Sequence, residues 1–311
     1  MKHAAILALM AIVSQSGPAH AADGPRILAP SSDWTLDFAD ERCSLIREFG
    51  EGDDTIRLQI DSFGPRPGYR VLISGGLVPG SDAAPMTEFG VSYSPDTGQR
   101  DRMTMFVGNL NGQNAVSFGR GFVPEPAFAL QYADEAASAF ERSVTHMTVA
   151  FKLRKPVQLD TGSMAAPFAA MHRCVDDLIA SWGIDLAQHR TRSRAPQVAV
   201  TTKSGERAFR TNGQDFALVE RSGEAVTERN YPRPADRRAQ QFARNAYSSG
   251  DLVPVRVMID AAGQPTACVV QLAQVSEAFR QNACESLKGP YQPALDAEGR
   301  PMASFIQFDL R

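Results

Sequence analysis

Several features are scarce in this sequence. Cysteine occurs four times in 311 residues, and no two cysteines are close enough for a C-x-x-C or C-x-C metal or redox motif. Charge of one sign is not in excess. Lys plus Arg number 32 against 35 Asp plus Glu, which excludes a globally basic nucleic-acid binder. No apolar run approaches the roughly 20 residues of a membrane-spanning helix. No glycine-rich phosphate loop opens a helix, and no Gly-x-Ser-x-Gly nucleophile elbow is present. What remains is 43% hydrophobic and 22% charged, the composition of a folded chain rather than a disordered one. The length favours two domains.

The first residues carry an export pattern. Lys2 precedes an apolar run from Ala4 to Val13, and Ala19-His20-Ala21 is a small-x-small cleavage site. Residues 1–21 are therefore expected to be a signal peptide, with the mature chain starting at Ala22 and no membrane span after cleavage. The expected location is the periplasm, an oxidising compartment that preserves disulfides. Domain logic pairs Cys43 with Cys174 and Cys268 with Cys284, since each bond then closes within one domain. Four cysteines allow three pairings in all.

Residues 22–185 read as a mainly-β domain. Trp34–Phe38, Cys43–Phe49 and Thr55–Ile60 alternate with period two, Tyr69–Ser74 and Met103–Val107 are further candidates, and Gly/Pro turns separate them. Tyr132–Arg142 is a candidate short helix. Val144–Leu153 and Val157–Leu159 suggest a hairpin. The domain is predicted to end on a long helix over 164–182, where Phe168, Met171, Val175, Leu178 and Trp182 form one apolar stripe that places Cys174 toward the core. Ser163 is the expected N-cap and Gly183 the expected stop. Residues 186–229 lose this periodicity and read as a linker with a weak hairpin over Ala208–Val219. Its run Arg190, Arg192 and Arg194 is expected to be solvated.

Residues 230–311 read as α-β-β-α-β, with helices on one small antiparallel sheet, so the fold class is α+β. The elements are a helix over 234–247, strands Leu252–Ile259 and Thr266–Leu272, a helix capped by Ser276 with Phe279, Ala283 and Leu287 on its face, and a last strand at Ser304–Phe308.

This tail resembles the TonB C-terminal domain in its cysteine-bearing, alphaproteobacterial envelope form. The matching residues are Tyr231-Pro232, the run Val255–Asp260 with Gly263, Ala267–Val270, Cys284, Tyr291-Gln292-Pro293-Ala294 and Asp296–Pro301. The front domain looks like the region preceding such tails, through Arg42–Leu45 with Phe49-Gly50, and Cys174–Leu178 with Trp182-Gly183. The resemblance implies a module that takes an extended partner segment by strand addition, here along Ser304, Phe305, Ile306, Gln307 and Phe308. The implied partner is an envelope protein or peptide, with a segment of an outer-membrane receptor among the candidates. A TonB transducer also has an uncleaved anchor and a long proline-rich spacer, and neither is expected here. The reading is a binding protein, with an energy transducer as the alternative.

The enzyme alternative is a hydrolase built on Asp160. Leu159-Asp160-Thr161-Gly162-Ser163 matches an aspartic-protease turn, but that chemistry needs two carboxylates and no second motif occurs. His172 and Asp176, at i and i+4, read as an exposed helix pair. No catalytic residue, metal or cofactor is expected.

Overall fold

A computed structural model describes residues 24–65, 68–80, 89–95, 106–123, 134–151, 154–201, 207–210, 216–217, 253–272, 275–289 and 291–310. The expected signal peptide, Tyr231, Pro232 and the helix expected over 234–247 lie outside the described residues.

The front module is built on two sheets. Its strands are β1 (Arg26–Leu28), β2 (Thr35–Ala39), β3 (Arg42–Phe49), β4 (Ile56–Ser62), β5 (Tyr69–Gly75), β6 (Phe89–Ser94), β7 (Phe106–Leu110) and β8 (Gln113–Gly121). Then come α1 (Asp134–Ser143), β9 (His146–Phe151), β10 (Val157–Asp160) and α2 (Ala165–Ser181). One sheet runs β2-β3-β4-β5-β8-β7 and the other β1-β10-β9-β6. Register places Leu36, Leu45, Ile60, Val71 and Phe118 in one row across five strands of the larger sheet. Four of these are buried and Leu36, on the edge strand, is partly exposed. Alternation along each strand makes this a single apolar face. The opposite face carries buried polar groups, where Asp61 accepts hydrogen bonds from Ser44 (2.7 Å) and Gln59 (2.8 Å).

The α2 stripe Phe168, Met171, Val175 and Leu178 is buried against this apolar face, and Cys174 on it bonds Cys43 on β3. Phe89 on β6 lies 5.3 Å from Phe118 on β8, joining the smaller sheet to the same core. The helix N-cap is Met164 rather than Ser163. The Ser163 hydroxyl accepts only a long 3.4 Å bond from the Ala165 N–H, so this helix start has no strong side-chain cap. Gly183, at φ 81°, ends the helix in the left-handed conformation, its N–H bonded to the Ala180 carbonyl.

Residues 186–201, expected as linker, are built into the fold. They form α3 (Leu186–Thr191) and β11 (Gln197–Thr201), followed by β12 (Arg207–Arg210) and β13 (Phe216–Ala217). The three arginines are engaged, Arg190 while still exposed as expected and Arg192 and Arg194 partly buried. Arg190 pairs with Asp176 at 2.6 Å, Arg192 donates to the His189 carbonyl and Arg194 to the Pro293 carbonyl. A polar sequence without apolar periodicity concealed this, because these contacts are made through backbone and guanidinium groups.

The tail contains β14 (Val253–Ile259), β15 (Pro265–Val270), α4 (Glu277–Ser286), β16 (Tyr291–Gln292), β17 (Ala294–Leu295), β18 (Pro301–Met302) and β19 (Ser304–Leu310). Its main sheet runs β13-β19-β14-β15. Ser276 caps α4 by accepting from the Phe279 N–H, and Cys268 on β15 bonds Cys284 on α4. β11 pairs with β16, so the segment leaving the front module is stitched to the tail.

Candidate docking edge and its surroundings

The strand β19 lies between two neighbours. On one side it pairs antiparallel with β14 along its whole length, from Ser304 opposite Ile259 to Leu310 opposite Val253. On the other side, among the described residues, it pairs in parallel with β13, Gln307 with Phe216 and Phe308 with Ala217. The expectation of an open edge over Ser304–Phe308 is therefore corrected at Gln307 and Phe308, where the chain's own strand sits. The side chains of Ser304, Phe305, Ile306, Gln307 and Phe308 are also buried. A partner meeting this strand would find backbone groups, not side chains offered outward.

Alternation explains the burial. Ile306 and Phe308 face the helix side, within the core formed with Phe279, Ala283 and Leu287. Phe305 and Gln307 face the front module. Phe305 packs edge-on against Trp182 at 5.1 Å and stacks on His189 at 5.2 Å. The Gln307 amide donates to the Phe63 carbonyl (2.6 Å) and to Gln271 Oε1 (2.8 Å), and Gln271 Nε2 also reaches the Phe63 carbonyl (2.8 Å). Gly64 is required beside this knot. Its φ is 149°, and a Cβ there would lie 2.6 Å from the Gln307 amide oxygen. Arg256, opposite Gln307 on β14, pairs with the Glu41 carboxylate, and its guanidinium lies 4.3 Å from the Trp182 ring centre. Both faces of the tail sheet are thus covered, one by α4 and one by the front module.

The far edge of the same sheet is blunted. Arg280 on α4 donates to the Val270 and Leu272 carbonyls at 3.3 and 3.1 Å, and the Cys268–Cys284 bond ties β15 to the helix. Edge strands are commonly shielded by such devices.

Of the residues matched to the TonB tail, Gly263, Tyr291 and Pro293 meet at one turn. Gly263 has φ 80°, and a Cβ there would lie 2.4 Å from the Tyr291 carbonyl oxygen. Tyr291 is buried, and its hydroxyl donates to the Leu287 carbonyl. Burial pushes that hydroxyl's pKa well up. The Pro293 carbonyl accepts from Arg194, and Ala294 is fully buried opposite Met302. Their placement serves the fold. Asp296, adjoining them, accepts from the Arg300 and Glu298 N–H groups, and the Arg300 N–H chiefly holds its carboxyl below the usual range.

Asp160 ends β10. Its Oδ1 accepts from the Gly162 N–H at 3.2 Å and lies 3.7 Å from His146 Nε2. The following Thr161 carbonyl takes Arg47 at 3.0 Å and Trp34 at 3.5 Å. The Asp-Thr-Gly signature here closes a turn onto the larger sheet.

A second polar cluster brings together residues remote in sequence. Tyr69 donates to Glu141 Oε1 at 2.8 Å, and His172 Nε2 lies 2.9 Å from Glu141 Oε2 and 3.2 Å from the Tyr69 hydroxyl. Glu141 is buried, whereas the His172 side chain is nearly half exposed. The bond to Glu141 raises the His172 pKa, with Asp176 adding to the effect and burial and Arg142 opposing it. Burial first, then Glu141, pushes the Tyr69 hydroxyl far above its ordinary value. The pairing of His172 with Asp176 expected from helix spacing misses this neighbour, because Glu141 comes from α1. The arrangement gives a buried carboxylate two neighbours, the Tyr69 hydroxyl and the His172 imidazole.

No family model matches the chain, nor does any curated protein or solved structure. Among the described residues no group of His, Cys, Asp and Glu has metal-ligating geometry, and no helix is long and apolar enough to cross a membrane. The two disulfides belong to an oxidising environment.

Proposed function

We propose that this is an exported periplasmic envelope protein that binds an extended segment of a partner by strand addition to β19, through a TonB-like tail, without transducing energy. The observation that carries this reading is the pairing of β13 on β19. The outer side of β19 has backbone groups that accept a parallel strand, at Gln307 and Phe308 among the described residues. Backbone hydrogen bonds supply affinity in this mode. The opposite edge, at β15, is capped by Arg280 and the Cys268–Cys284 bond.

A binding role rather than force transmission is supported by the mounting of the tail. Its sheet is held to the front module by Arg256, Phe305, Gln271 and Gln307, rather than carried at the free end of a spacer. A non-catalytic role is supported by Asp160, whose carboxylate holds its own turn.

The test is site-specific photo-cross-linking in living cells from position 303, an exposed residue immediately before β19. The expected result is an adduct mapping to one extended segment of an envelope protein. Adducts scattered over unrelated proteins, or none, contradict the reading.

A further inference from the structure

We infer that β2 is a docking edge of the front module, and that it takes an extended partner segment in which apolar and basic residues alternate. The inference uses other residues than the β19 reading and stands independently of it.

Among the described residues three large hydrophobic side chains are exposed, Ile27, Leu36 and Phe38, and the last two lie on β2. β2 is the terminal strand of the larger sheet, and among the described residues only β3 pairs with it. Thr35, Leu36, Asp37 and Phe38 are all exposed, so side chains of both faces are open along this rim. Register sets Leu36 opposite Leu45 and Phe38 opposite Cys43, two buried residues of the apolar face on which α2 packs. The apolar face thus continues onto the last strand and remains uncovered there. An edge strand presents unpaired N–H and C=O groups, and such edges are commonly blunted by proline, a bulge or a covering element. The pairing of β2 with β3 runs without a register shift, and β2 contains no proline. The β15 edge, by contrast, is capped by Arg280 and the Cys268–Cys284 bond.

The opposite face of β2 indicates the partner's chemistry. Alternation puts Asp37 on that face, with Asp33 just before the strand in the same phase. Asp33, Asp37 and the following Asp40 are exposed and have no ion-pair partner among the described residues. Arg42, opposite Ala39 on β3, is partly buried and pairs with none of them. A strand added here therefore gains most by setting apolar side chains against Leu36 and Phe38 and Lys or Arg against Asp33 and Asp37. Opposite charges directly across a strand pair stabilise it, and like charges destabilise it. A second copy of this chain brings its own Asp33 and Asp37 to the same face, so the occupant is a basic segment of another protein.

The experiment uses the mature full-length chain and a heptapeptide of alternating Lys and Val, blocked at both ends. Peptide is titrated at low ionic strength while the backbone amides of Thr35–Ala39 and Ser304–Leu310 are followed by NMR. A peptide of the same composition with its Lys and Val residues in two blocks is the control. The protein variants are Asp33→Lys/Asp37→Lys and Leu36→Ser/Phe38→Ser, all at exposed positions, and amides remote from β2 report that each is folded. The expected result is saturable movement of the Thr35–Ala39 amides in the wild type, with either variant or the block peptide needing at least tenfold higher concentration. A heptapeptide of alternating Glu and Val is expected to bind Asp33→Lys/Asp37→Lys and not the wild type. No movement at Thr35–Ala39, or an equal response to the alternating and block peptides or in the wild type and the charge-reversed variant, overturns the inference. Movement confined to Ser304–Leu310 overturns it and leaves the β19 reading standing. Movement of Thr35–Ala39 with protein concentration alone, before peptide is added, makes a second copy the occupant and overturns the basic-segment assignment.

Discussion

His172 is placed so that its charge state depends on a residue from another helix. Its imidazole meets the Glu141 carboxylate and the Tyr69 hydroxyl, while Asp176 and Arg142 pull its pKa in opposite directions. The net shift is upward from 6.5. A raised folded-state pKa contributes stability that is fully present below the unfolded value and is lost as pH rises through the folded one. The melting temperature of the mature protein is therefore expected to fall from about pH 6 toward alkaline pH. In His172→Gln this component of the pH dependence disappears, which thermal melts across that range will show. Tyr69, Glu141 and His172 are separated by 72 and 31 residues. No local periodicity links them, which is why helix spacing alone points to Asp176. Gly263 is the opposite case, legible as a turn glycine and confirmed in its geometry by the Tyr291 carbonyl beside it. Gly263→Ala combines a strained φ with that clash and is expected to cost about 2 kcal/mol or more in a denaturant titration.

Elements with strong periodicity are readable, and those built by backbone pairing are not. The stripe of α2 and the alternation of β3, β4 and β5 appear directly in the sequence, since each buries one face. Period two is also present in β6, with Phe89, Val91 and Tyr93 buried, although β6 is missing from the strands predicted. α3 has no apolar stripe, and β11, whose apolar run is only Val198 to Val200, gains its place by pairing with β12 and β16. β12 and β13 fall within the hairpin expected over Ala208–Val219, but β12 pairs with β11 and β13 with β19. The cysteine pairing was legible because each bond joins elements already packed together, β3 with α2 and β15 with α4. The shorter bond closes a separation of 16 residues and contributes about 3 kcal/mol in the chain-entropy picture. Cys284→Ser is expected to lower the unfolding free energy in a denaturant titration by roughly that amount, with the loss concentrated in tail amides by hydrogen exchange.

At the scale of the whole molecule, the polar linker expected between two independent domains gives way to a joint. Glu41, Phe63 and Trp182 of the front module meet Arg256, Gln271, Phe305 and Gln307 of the tail. These contacts cross more than 70 residues of sequence and depend on a few polar atoms and ring contacts, so composition and periodicity do not reveal them. Arg256 is the most informative position. Its side chain is 7% exposed, while that of Glu41 is 24% exposed and regains water when the arginine is removed. Arg256→Ala is therefore expected to cost about 2–4 kcal/mol, toward the low end of what breaking a buried pair costs. Simultaneous Glu41→Gln should recover part of the loss in a double-mutant cycle.

The proposed strand addition assigns the partner to β19 rather than to β15, and the two strands have separate amides in the sheet order β13-β19-β14-β15. The decisive measurement is hydrogen exchange of the mature protein alone and bound to the partner segment identified by cross-linking from position 303. The account predicts that protection is gained along Ser304–Leu310 and that Pro265–Val270 is unchanged. Protection gained at Pro265–Val270, with Ser304–Leu310 unchanged, would contradict it.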